Sequence, residues 1–171
     1  VLRGQYPDAR IVYAPLACRP AEAPRVRGAA PGAAVTFGTL PAGRVTVARR
    51  ALARAQAAGA TAALVTDTSP DRLLREADVV LALSWPPHGE GQALARAAMA
   101  EGRPVVALET PLTADWPALD PQTWRTRGLL PDPPVAITVD LRDEEHSLAV
   151  AIRRLSTDAA LRSQLGEAAH A

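Results

Sequence analysis

The stretch AAVTFGTLPAGRVTVARRALARAQAAGATAALVT (residues 33–66) decides the fold. Its first eight residues, Ala33–Leu40, are apolar and β-branched and run into Pro41 and Gly43, which predicts a strand followed by a turn. Val45 to Ala58 then carries an Ala- and Arg-rich helical pattern ended by Gly59, and Thr61–Thr66 is a second short apolar run, the length of a buried strand. The alternation continues through Pro70–Ala77 (helix, with Leu73 and Leu74 inward), Asp78–Ser84 (strand), Gly91–Glu101 (helix closed by Gly102), Pro104–Leu108 and Val135–Asp140 (strands). Leu148, Ile152 and Leu155 mark one closing helix, Leu161 and Leu165 another. Strands that are apolar throughout and alternate with helices are covered on both faces. The predicted class is therefore α/β: a doubly wound, three-layer α/β/α sandwich around a mostly parallel, Rossmann-like sheet of about five strands.

The 171 residues, 48% hydrophobic and 22% charged, supply one domain with a real core. A formal net charge of +1 disfavours a protein that coats a polyanion, so no nucleic-acid partner is expected. All 19 basic residues are Arg and Asn is absent, a bias that fits a GC-rich coding sequence and makes Arg richness alone a poor sign of phosphate binding. The charge is uneven: residues 1–60 hold nine Arg and two acids, the remainder ten Arg and sixteen acids. Cys18 is the single cysteine and no Cys/His spacing suits zinc, which points to a reducing, cytoplasmic setting. No apolar run approaches the ~20 residues of a membrane span, so only peripheral membrane contact is compatible with the sequence. Pro20–Gly32 is rich in Pro, Gly and Arg without a period, and residues 1–32 are expected to be a linker or the remnant of a preceding domain, with the folded domain at 33–171. Val1 is not an initiator Met, which suggests a piece of something larger.

Ligands of an open parallel sheet bind beyond the carboxyl ends of its strands, and two polar clusters fall there. The first is Gly38-Thr39-Leu40-Pro41-Ala42-Gly43-Arg44, where a Gly admits close backbone approach and Arg44 places a cation at a helix start. A P-loop would need Lys at 44 and Ser or Thr at 45, and Arg44 and Val45 stand there instead. A plain turn with Arg44 in solvent is the competing reading. The second cluster, Ser84-Trp85-Pro86-Pro87-His88-Gly89-Glu90-Gly91-Gln92, joins a strand to a helix whose Gly-freed N–H groups can face an anion, while the Glu90 carboxylate can accept two hydrogen bonds from a vicinal diol. Glu90 is equally placed to stabilise the first helical turn, and His88, with no partner evident in sequence, is as readily a loop residue as a base. G-x-G-x-x-G is missing after every predicted strand, which argues against a dinucleotide-dependent oxidoreductase.

Taken in order, TFGTLPAGR (Thr36–Arg44), ADVVLALSWPPHGEGQ (Ala77–Gln92), AMAEGRPVV (Ala98–Val106) and RLSTDAALRSQLGEAA (Arg154–Ala169) resemble the C-terminal, nucleotide-sugar-binding half of a group 1 (family 4) glycosyltransferase of GT-B architecture. The resemblance implies an enzyme half that takes a sugar from a nucleotide diphosphate sugar to an acceptor hydroxyl with retention and without a metal, no D-x-D pair being present. It implies no cofactor beyond that donor substrate, and an acceptor-binding N-terminal domain as partner. Gly38, Thr39, Arg44, His88, Gly89, Glu90, Gly91 and Gln92 would be the donor-binding residues, Glu90 carrying the catalytic contact to the sugar. Ala97 stands where the family has a second glutamate, and the chain passes from Asp67 to Leu73 without a strand typical members insert. A non-catalytic binding or assembly module of the same fold is the alternative.

Overall fold

The computed structural model describes residues 33–40, 44–66, 69–87, 89–127 and 133–171. The expected linker at 1–32 and His88 lie outside the described residues.

Strand β1 (Val35–Gly38) leads to helix α1 (Val45–Ala57), β2 (Ala62–Val65), α2 (Pro70–Glu76), β3 (Val79–Ala82), α3 (Gly89–Ala100) and β4 (Val105–Leu108). After β4 come two strands of two residues, β5 (Ala118–Leu119) and β6 (Thr126–Arg127), then β7 (Ala136–Val139), α4 (Glu144–Thr157) and α5 (Ala159–His170). The sheet order is β2-β1-β3-β4-β7-β5-β6. All pairings are parallel except β5 with β6. Register places Val35 beside Ala62, Phe37 beside Val79, Val80 beside Val105 and Val106 beside Ile137. The chain is thus a mostly parallel, doubly wound α/β sandwich. Among the described residues β2 forms one edge and the β5–β6 hairpin the other.

The period of the sequence explains each layer. In α1, Ala48, Ala51 and Ala55 recur on one face and are buried; their small size lets the helix lie close along α4, whose Leu148, Ile152 and Leu155 close the same apolar layer over Phe37, Leu81, Val106 and Ile137. On the opposite face Leu73 and Leu74 of α2 and Leu94, Ala95 and Ala98 of α3 cover Val80, Val105, Ala107 and Ala136. Helix ends follow local chemistry. Ser69 accepts from the Arg72 amide (3.3 Å) with Pro70 in the first turn of α2, and Asp158 accepts from the Leu161 amide (2.9 Å) at the start of α5. Gly59 (φ 92°) and Gly102 (φ 70°) end α1 and α3 in the left-handed region.

Helix α3 begins at Gly89, two residues earlier than the sequence predicts, so Glu90 belongs to its first turn. The β5–β6 hairpin has no counterpart in the sequence reading, because two-residue strands flanked by Pro117 and Pro121 present no period.

Candidate functional site

From β1 the chain crosses to β2 on one side, then returns past β1 to β3 on the other. The crevice between the carboxyl ends of β1 and β3 is the switch point of the sheet, the place where such folds hold ligands. The two sequence clusters follow the strands that flank it. The first follows β1 and ends at the start of α1, and the second follows β3 and becomes the start of α3.

Gly38 ends β1 against α2. A Cβ there would lie 2.7 Å from Ala77 Cβ and 2.9 Å from Leu73 Cγ, so the residue is small because the helix packs onto the strand end. Thr39 is fully buried, and its amide donates to the Val65 carbonyl (3.1 Å), prolonging the β1–β2 pairing. Arg44 precedes α1 with left-handed backbone angles (φ 52°, ψ 46°), and its carbonyl accepts from the amides of Val47 and Ala48. Its guanidinium forms an ion pair with Glu144 in the first turn of α4.

In the second cluster Ser84, Trp85, Pro86 and Pro87 lead into α3. Gly91 sits directly over Ser84, where a Cβ would meet its Oγ at 2.3 Å. That close approach sets the N-terminal turn of α3 down on the end of β3. Trp85 is half exposed. Gln92 follows on the same helix, and its Oε1 is buried with no hydrogen-bond partner among the described residues. A small depression lies beside it, bounded by Ser84, Pro87, Gly91 and Gln92 and, from the end of β4, by Thr110 and Thr113. Thr113 Oγ1 donates to the Leu108 carbonyl (2.8 Å) and accepts from the Thr110 amide (3.0 Å), which fixes this turn. The sequence reading passed over Thr110 and Thr113, although two hydroxyls just after an apolar strand are the signal it used elsewhere.

A second, larger polar groove opens at the carboxyl end of β7 and was also missed. It is lined by Asp120, Gln122, Arg127, Asp140, Arg142 and Ser147 among others. Both its cations are engaged, Arg127 with Asp120 and Glu109 and Arg142 with Asp140, while Asp143 accepts from Gln122 Nε2 at 2.9 Å. The side-chain hydrogen bond from Arg142, joined by its backbone amide, pulls the Asp140 carboxyl down to about 2. Burial pushes Asp120 up, but the Gln122 amide and the Arg127 guanidinium hold it below the ordinary carboxylate value on balance. Among the described residues no group of three or more His, Cys, Asp or Glu converges in a metal-binding arrangement, and no helix is long and apolar enough to cross a membrane.

No family model and no curated protein matches the chain. Solved structures do. S. aureus TarM, crystallised as a variant with fondaparinux, alpha-GlcNAc-glycerol and UDP, superimposes with a TM-score of 0.54 at 13% identity over 85% of this chain and 34% of that one. A second TarM crystal structure gives a TM-score of 0.52 at 15% identity, over 85% of this chain and 33% of that one. The chain therefore shares its mostly parallel α/β fold with the matched third of TarM. The chain spans about a third of the length of these structures.

Proposed function

We propose that this chain is the donor-binding half of a group 1 (family 4) GT-B glycosyltransferase, which takes a sugar from a nucleotide diphosphate sugar to an acceptor hydroxyl. The observation that supports the reading is the switch point itself, where the N-terminus of α3, seated on Ser84 through Gly91, and that of α1, preceded by Arg44, follow adjacent parallel strands. TarM, whose fold the chain shares, was crystallised with UDP.

In this mechanism the diphosphate lies against the free amides of the first turn of α3, with Arg44 supplying a fixed positive charge. Both favour the leaving group, whose negative charge grows as the bond to the sugar breaks. Glu90 accepts hydrogen bonds from the sugar hydroxyls and orients the donor, and Gly38, Thr39, His88 and Gly89 complete the proposed donor contacts. Transfer is read as retaining, with the departing phosphate helping the incoming hydroxyl. It is also read as metal-independent, since the sequence has no D-x-D pair. The acceptor would be held by an N-terminal domain across the cleft.

Calorimetry with UDP, GDP and ADP tests the binding step. At least one is expected to bind weakly, because half a cleft supplies half the contacts, and to shift NMR resonances of α3 and Arg44. Shifts confined to the β7 groove would contradict the reading. The second reading, a non-catalytic module of the same fold, is favoured by Ala97 in place of an acid and by a sheet that ends at β2 among the described residues. It predicts no diphosphate binding at all.

A further inference from the structure

Arg44 is an engaged cation. Its side chain, 30% exposed, reaches a Glu144 side chain that is only 15% exposed, and the pair joins the N-termini of α1 and α4 at the carboxyl edge of the sheet. The pairing is single. Arg44 Nη2 donates to Glu144 Oε1, while Arg44 Nε and Glu144 Oε2 are both buried without a hydrogen-bond partner among the described residues. Guanidinium and carboxylate can form two parallel bonds, and here they form one. Nor do the helices depend on this contact. Ala48, Ala51 and Ala55 already pack in one apolar layer with Leu148 and Ile152, and Arg54 meets Glu145 at 3.3 Å nearby.

We propose that Glu144 is the counter-ion and positioning residue of Arg44, and that the phosphates of a bound nucleotide compete with it for the guanidinium. The inference rests on the reading of Arg44 as a diphosphate contact. A carboxylate on the cation holds the side chain at the crevice but cancels much of the field that an anion would feel. Glu144 therefore trades affinity for placement, and its unused Oε2 marks a partnership that can loosen when another anion takes up part of the guanidinium. The sign of the effect separates this role from a structural bridge. Removing a bridge that only joined helices would lower stability and leave binding alone or weaken it, whereas removing a competing counter-ion strengthens anion binding.

The test is calorimetric titration of the full chain with whichever of UDP, GDP and ADP binds it best, across Arg44→Ala, Glu144→Gln and the double variant. Arg44→Ala is expected to weaken binding about tenfold through loss of a charge-assisted contact. Glu144→Gln is expected to tighten it about threefold to tenfold, with a steeper salt dependence, and that gain should vanish when Arg44 is also Ala. If Arg44→Ala leaves affinity unchanged, the reading of Arg44 falls and this proposal falls with it. If Arg44→Ala weakens binding but Glu144→Gln does not tighten it, the reading stands and the role of Glu144 is overturned. Should Glu144→Gln fail to fold, the wild-type chain decides: saturation with the nucleotide must move the Glu144 carboxyl carbon and Arg44 Nε NMR signals together, and a Glu144 signal that stays fixed overturns the proposal.

Discussion

Gly38 and Glu90 show how differently a single residue can be read from sequence and from structure. Gly38 was legible as a place needing no side chain. The atoms that need the space became visible only in three dimensions: Ala77 Cβ and Leu73 Cγ, from a helix more than thirty positions later. Gly38→Ala is accordingly expected to destabilise the fold by roughly 1–3 kcal/mol through overpacking, measured by urea denaturation. Glu90 is the opposite case, a residue whose proposed role lies in turnover. In the proposed transferase, assayed together with an acceptor-binding domain, Glu90→Gln keeps the shape but loses a charged acceptor, so kcat/KM should fall roughly tenfold to a hundredfold with little change in folding. A first-turn helix stabiliser would instead show a slightly lower Tm and unchanged turnover. Asp140 adds a pH signature. Its folded pKa of about 2 lies below the ordinary 3.8, so its contribution to stability is complete above the ordinary value and is lost as pH falls towards 2. In Arg142→Ala the Asp140 titration, followed by carboxyl-carbon NMR, should move back up towards 3.8.

At the scale of elements, helices and strands were legible wherever one face or both carried a sustained apolar period, and the joints between them were not. Helix α5 illustrates the gap. Leu161 and Leu165 announced a helix, but nothing in the period said that Gly166 would lie against the turn joining α3 to β4. A Cβ on Gly166 would come within 2.2 Å of the Gly102 carbonyl oxygen. The contact is reinforced where His170 Nδ1 meets the Ala100 carbonyl at 2.9 Å, while the Arg162 guanidinium ties the same helix to the Leu155 carbonyl of α4. Backbone is the obstacle here, so no rotamer change relieves it. Gly166→Ala should therefore loosen the whole helix, and amide exchange across α5 should speed up well before exchange in β3 or β4 does. Equal acceleration in helix and sheet would mean that α5 unfolds only with the entire domain. The β5–β6 hairpin was illegible for another reason, since its two-residue strands are held by pairing with β7 and by bonds from Asp120 to Gln122, Thr123 and Arg127, none of which leaves a periodic signal.

For the molecule as a whole, the strand–helix alternation was enough to foretell the layers and the mostly parallel sheet, because alternating elements allow few ways of connecting them. The site was legible only as two clusters falling after strands. That they follow adjacent strands is a matter of a strand order that puts β1 between β2 and β3, which no local pattern states. The same architecture bears on where the domain begins. Both apolar layers among the described residues are built from Val35 to Leu165, and the likeness to TarM covers 85% of the chain. A chain of residues 33–171 holds every one of those core side chains, so the favourable burial that offsets its chain entropy is intact. It is expected to unfold in urea as one cooperative transition, with a slope of about 1–3 kcal/mol per molar as for other small domains, and to keep the diphosphate affinity of the full chain. Loss of the cooperative transition would show that residues 1–32 complete the core. A folded 33–171 that no longer binds the nucleotide would place part of the donor site in those first residues instead.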